Sequence, residues 1–173
     1  MIKFIVLTIL AIFLVPILYV HLRGKVRLPF LRQVVNHSAW FAPYNSLMYL
    51  NSSVPSKPYL DRERFPELDR LRDNWQMIRE EAENLFDEGY IRDALNNNEA
   101  GFGSFFKKGW TRFYLTWYDG PLPSAQKLCP KTVELVSSIP NVKGAMFTRL
   151  PPRSHLNKHR DPYAGSLRYH LGL

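Results

Sequence analysis

His159-Arg160-Asp161-Pro162-Tyr163-Ala164-Gly165-Ser166-Leu167-Arg168-Tyr169-His170-Leu171-Gly172-Leu173 closes the chain, and its reading decides the fold. His159 and Asp161 stand two apart, and in extended backbone such residues point to the same side. An imidazole and a carboxylate can then converge on one ion. A distal histidine would complete a two-histidine, one-carboxylate face that leaves positions open for substrate and oxygen. The bland alternative is a His-x-Asp tripeptide with no metal role. Arg168 and His170 repeat the spacing, with Leu167, Tyr169 and Leu171 alternating against them, which predicts a strand over residues 166–173. Its polar face suits a small dicarboxylate, because a guanidinium donates fork-like hydrogen bonds to carboxylate oxygens. An ordinary half-buried strand with a solvated arginine shows the same pattern. Three of the five histidines, His155, His159 and His170, fall within the last 19 residues.

Working outward, residues 142–150 read as a second strand, and residues 130–138 as a short helix opened by Pro130 and ended by Pro140. Residues 110–118, rich in aromatics and Thr, read as a further strand that Asp119-Gly120-Pro121 terminates. The stretch 94–109 is an Asn- and Gly-rich loop, and its Gly101-Phe102-Gly103 is too short to cradle a phosphate. From Pro66, the residues Leu68, Leu71, Trp75, Ile78, Ala82 and Leu85 recur at helical intervals, predicting one helix that stops at Gly89. Its apolar stripe is the docking face. Its many Arg and Glu residues form a solvated outer face with no chemistry.

The chain begins with residues 4–20, an apolar run interrupted only by Thr8 and Pro16 and followed by Arg23, Lys25 and Arg27. A bilayer-crossing helix needs roughly 17–25 such residues. Basic residues follow the run where a signal peptide would carry its small-residue cleavage site, so a retained anchor is expected. The positive charge lies mainly after the span, which places the remainder in the cytoplasm. Residues 26–60 mix Trp40, Phe41, Tyr44 and Tyr49 with aliphatic and polar residues. They either lie among lipid headgroups or pack on the following domain.

Across the 173 residues the formal charge of +8 is unevenly placed. Residues 1–60 hold six basic residues and no acid, residues 61–99 net −6, and residues 100–173 net +8. The first positive block adjoins a hydrophobic span and no base-stacking motif accompanies the last, so nucleic acid is not an expected partner. With Cys129 as the one cysteine, no intrachain disulfide framework or multi-cysteine zinc site can form.

Thr148 through Leu173, above all the closing fifteen residues quoted above, closely resembles the core motif of the aspartyl/asparaginyl β-hydroxylase family of iron(II)- and 2-oxoglutarate-dependent oxygenases. The anchor, the basic region after it and the His-x-Asp look most like the bacterial lipid A 2-hydroxylase branch. Leu128-Cys129-Pro130-Lys131-Thr132 resembles the family more loosely. The resemblance implies a double-stranded β-helix (jelly-roll or cupin-like) domain with flanking helices, hence an α+β chain. The organisation expected is an anchor over 1–25, a juxtamembrane segment over 26–60 and the N-terminal part of the oxygenase domain over 61–173.

By the same resemblance, His159 and Asp161 are the iron ligands, and Thr148, Arg168 and His170 surround 2-oxoglutarate. Thr148 stands where the family has a Ser hydroxyl. His155 is structural, and neither His21 nor His37 is placed to act as the distal ligand. The family's distal His and its 2-oxoglutarate-binding Arg fall beyond Leu173, so the chain reads as the N-terminal portion of a longer protein and is expected to be inactive by itself. The implied reaction is hydroxylation of an acyl chain of lipid A at the inner membrane, with iron(II) as cofactor and 2-oxoglutarate and O2 as cosubstrates. Arg149, Arg153, Lys158 and Arg160, with Lys107 and Lys108, would meet the phosphates of this anionic glycolipid or else form a solvated basic face. The alternatives are an anchored hydroxylase acting on Asp or Asn of proteins, and a non-catalytic tethered binding protein.

Overall fold

The computed structural model describes residues 1–23, 29, 32, 36–55, 57, 59–87, 92, 93, 111–118, 120–154, 161 and 163–173. The chain divides into two units, Met1–Leu60 with Lys158–Tyr169, and Asp61–Asn157 with His170–Leu173.

In the first unit, α1 (Ile2–Arg23) is the apolar run read as an anchor. At 1.5 Å per residue its 22 residues reach about 33 Å, enough for a hydrocarbon core of about 30 Å. Thr8 donates its hydroxyl to the Phe4 carbonyl at 2.9 Å, so the polar atom within the run is satisfied inside the helix. Pro16 lies inside α1, where membrane helices tolerate it. Arg23 places positive charge at the negative end of the helix dipole. A short helix, α2 (His37–Trp40), precedes α3 (Ala42–Asn51), which Pro43 opens, and both pack against α1. The Arg23 guanidinium lies 3.6 Å from the Tyr49 ring centroid, which ties the end of α1 to α3.

The second unit starts with two 3-10 turns, Arg62–Arg64 and Pro66–Leu68, followed by α4 (Asp69–Asp73) and α5 (Trp75–Asp87). The single helix expected from Pro66 onward is thus broken at Asn74. Its side-chain amide donates to the Arg70 carbonyl at 2.8 Å, a local bond that competes with the helical ladder. Beyond the break, Ile78 and Leu85 are buried as the periodicity requires, while Trp75 stays 38% exposed. The reading of the helix charges as uniformly solvated is corrected at Glu81, which is buried.

Strand β1 (Arg92–Asp93) pairs with β2 (Thr111–Trp117), which turns tightly into β3 (Gly120–Pro121). Gly120 has φ +124°, a conformation other residues rarely adopt. Two helices follow, α6 (Pro123–Leu128) and α7 (Pro130–Ser137), each with Pro in its first turn, and then β4 (Gly144–Arg149). β4 runs antiparallel along β2, with a bulge at Leu115. The four strands form one antiparallel sheet.

The core of this unit joins Ile78 and Leu85 of α5, Leu115 and Phe147 of the sheet, and Ala125, Cys129 and Val133 of the α6–α7 region. Leu171 packs against it. Residues 166–173 carry no strand assignment, contrary to the alternation that predicted one. Alternation reports which side chains can share a face, but a strand also needs a neighbour to complete its ladder. No described strand pairs with this segment.

Candidate active site

Strand β4 carries Thr148 because its β-branched and aromatic residues favour extended backbone and its Phe147 enters the core. Neighbouring side chains alternate, so Thr148 lies on the sheet face opposite Phe147, and it is exposed. Directly across the ladder from Thr148 stands Arg112. This arginine is only 5% exposed, with its guanidinium 5.0 Å from the Tyr114 ring centroid. Sequence reasoning missed Arg112, and the register with Thr148 is the signal that singles it out.

After β4 the chain reverses. Ser154 donates its backbone N–H to the Pro151 carbonyl at 3.2 Å, and Arg153 takes φ +60°. His155, Lys158, His159 and Arg160 lie outside the described residues, as do Lys107 and Lys108. The guanidinium of Arg149, expected to serve an anionic ligand, instead sits 3.6 Å from the Phe86 ring centroid. That contact gives one basic residue of the closing region a packing role.

Within the first unit the structure brings Asp161 and Arg168 together: Arg168 Nη2 donates to Asp161 Oδ1 at 2.9 Å, and both side chains are exposed. The guanidinium expected to face a cosubstrate carboxylate therefore holds the side chain expected to bind iron. The segment between them is docked on α3. Asn45 Oδ1 accepts the Ala164 N–H at 2.9 Å, and the Tyr44 and Tyr163 rings stack with centroids 5.7 Å apart and planes 20° apart. A Cβ on Gly165 would meet the outer end of the Tyr163 ring, which would have to shift to make room for it.

Thr148 and His170 belong to the second unit and Asp161 and Arg168 to the first. His170 is exposed, next to the core-packing Leu171. Among the described residues no three His, Cys, Asp or Glu side chains cluster as a metal site. The donor chemistry nevertheless fits iron(II): Asp161 offers a carboxylate oxygen at an exposed position, and the sequence sets an imidazole two residues before it.

The profile of the family described as Aspartyl/Asparaginyl beta-hydroxylase matches residues 72–173, more than half of the chain. A stretch of 64 residues is 42% identical to the ornithine lipid ester-linked acyl 2-hydroxylase of Rhizobium tropici, covering 37% of this chain and 23% of that protein. The chain therefore spans about a quarter of the length of this curated relative. No solved structure matches.

Proposed function

The chain belongs to the aspartyl/asparaginyl beta-hydroxylase family, a family of hydroxylases, and on that premise we propose that the intact protein hydroxylates C2 of an ester-linked acyl chain of a membrane lipid. The observation that carries this reading is the 42% identity to an acyl 2-hydroxylase in a chain that also bears an N-terminal apolar helix of membrane-spanning length. Lipid A, expected from the family resemblance, and ornithine lipid, named for the relative, share the reacting unit. Each presents a C–H bond beside an ester or amide carbonyl in the acyl region of a bilayer.

Iron(II) and 2-oxoglutarate with O2 supply the oxidising chemistry when bound, and the products balance as hydroxylated lipid, succinate and CO2. His159 and Asp161 would hold the metal. Thr148, Arg168 and His170 would hold the cosubstrate carboxylates, the hydroxyl donating one hydrogen bond and the guanidinium a fork of two. Arg168 would then exchange Asp161 for a ligand carboxylate. The four-stranded sheet would supply one wall of the double-stranded β-helix, with Thr148 on the face turned away from the core. The basic residues after α1 favour a single pass with the catalytic part in the cytoplasm, at the inner membrane.

Expression of the intact protein in a host that makes both lipids tests the reading. Mass spectrometry should show ornithine lipid or lipid A with one added oxygen on an acyl chain, dependent on iron(II) and 2-oxoglutarate. The family description favours one other substrate, Asp or Asn of a protein. Unchanged lipids together with oxygen added to a peptide would establish that alternative.

A further inference from the structure

Helix α3 is reversed for a helix that faces water. Its buried residues are Ala42, Asn45 and Ser46, whereas Phe41, Tyr44, Leu47 and Leu50 recur every three residues on the exposed side. Leu47 is 56% exposed and Leu50 72%, and Trp40, just before the helix, is 69% exposed. In water the apolar side of such a helix would turn inward.

Two observations identify what covers this face. α3 packs on α1, which is long and apolar enough to cross a membrane, so the patch continues an already lipid-compatible surface. Its composition is that of an interfacial helix: Trp and Tyr prefer the headgroup level, Leu and Phe the acyl boundary, and Lys25, Arg27 and Arg32, which precede it in the sequence, suit anionic headgroups.

We propose that the outward face of α3 lies in the headgroup–acyl boundary of the bilayer, and that α3 is the ledge on which residues 161–168 are held at that depth. The second half follows from the Asn45–Ala164 hydrogen bond and the Tyr44–Tyr163 stack. Asp161 is two residues from Tyr163, so an acyl chain would reach the candidate ligand without leaving the membrane. That consequence rests on the lipid-hydroxylase reading, whereas the depth of α3 does not.

The test uses the intact protein in vesicles of phosphatidylethanolamine and phosphatidylglycerol, with nitroxide labels on Leu47→Cys and Leu50→Cys and on Glu83→Cys of α5 as the aqueous reference. Cys129 is buried and does not compete for label. Collision with oxygen should exceed collision with a water-soluble nickel chelate at Leu47 and Leu50, with the reverse order at Glu83. Nickel contact equal to that at Glu83 would overturn the proposal. So would low contact with both reagents, which means cover by protein, or spin–spin broadening, which means cover by a second copy. For the ledge, a label on Ser166→Cys should gain mobility when Asn45→Ala is added, and an unchanged spectrum would remove that half. Lipid hydroxylation is read in the same vesicles after addition of ornithine lipid or lipid A, with iron(II), 2-oxoglutarate and O2 supplied. Embedded labels without hydroxylation would leave this inference and remove the functional reading, and hydroxylation with water-exposed labels would do the opposite.

Discussion

Glu81 and Thr132, fifty-one residues apart, are joined where the carboxylate Oε2 accepts the Thr132 backbone N–H at 2.8 Å, while Oε1 accepts that of Lys131 at 3.1 Å. The first turn of a helix has N–H groups without intrahelical partners, and a carboxylate there also meets the positive end of the dipole. Glu81 thus locks α5 to α7 from a buried position. Glu81→Ala should destabilise the protein by about 2–3 kcal/mol, since it strands charge-assisted hydrogen bonds. The exposed pair of Arg79 and Glu83, 2.7 Å apart, should contribute less than about 1 kcal/mol. Denaturant unfolding in detergent, followed by tryptophan fluorescence, separates the two.

Cys129 should be inert in the folded protein. Burial pushes its thiol up to about 12, and the nearby Glu81 charge pushes in the same direction. The thiolate is the reactive form, so alkylation at pH 8 should be slow until denaturant is added. Because the folded thiol titrates above its ordinary value of 9.0, its contribution to stability is complete below pH 9 and is lost as pH rises towards 12. Unfolding midpoints measured across pH 8–11 for the protein and Cys129→Ala should converge at the alkaline end. A constant difference would contradict this.

Asp161 and Arg168 are predicted to act separately once ligands are present. Asp161→Asn should weaken iron(II) binding by more than about 100-fold, beyond the loss expected for a group that merely orients a ligand. Arg168→Lys keeps the charge but loses the fork, and should weaken 2-oxoglutarate binding about tenfold with little effect on iron. Calorimetric titration of the intact protein with each ligand resolves the pattern.

Thr148 tests the hydroxyl itself. Thr148→Ser should preserve 2-oxoglutarate binding, whereas Thr148→Val, nearly the same shape, should weaken it by about five- to tenfold through one lost hydrogen bond. Arg112, across the ladder, provides a further comparison. Arg112→Met should lower 2-oxoglutarate affinity if the buried guanidinium serves that face, and should lower only the unfolding midpoint if its role is packing.

What the sequence made legible followed from local rules. β2 and β4 emerged from aromatic and β-branched residues with turn signals at their ends, and α7 from Pro130 at its start. Features governed by distant partners were hidden. Nothing in its own neighbourhood distinguishes Glu81 from the exposed acids around it, because its function depends on amides fifty residues away. The break at Asn74 turns on one side-chain hydrogen bond that competes with a strong helical period. The alternation of residues 166–173 was real, yet it gave no information on whether a strand stood beside them. At the site, His159, Asp161, Thr148, Arg168 and His170 came from motif resemblance. The pairing of Asp161 with Arg168 and the location of Arg112 opposite Thr148 required three dimensions.

The Asn45–Ala164 hydrogen bond spans 119 residues of chain, and that separation sets an order of events during synthesis. The apolar N-terminus leaves the ribosome first, so α1 and α3 can meet the membrane long before Ala164 has been made. At about 5–20 residues per second the delay is of the order of ten seconds. Residues 163–168 can therefore dock on α3 only after α1 and α3 have had that interval to form.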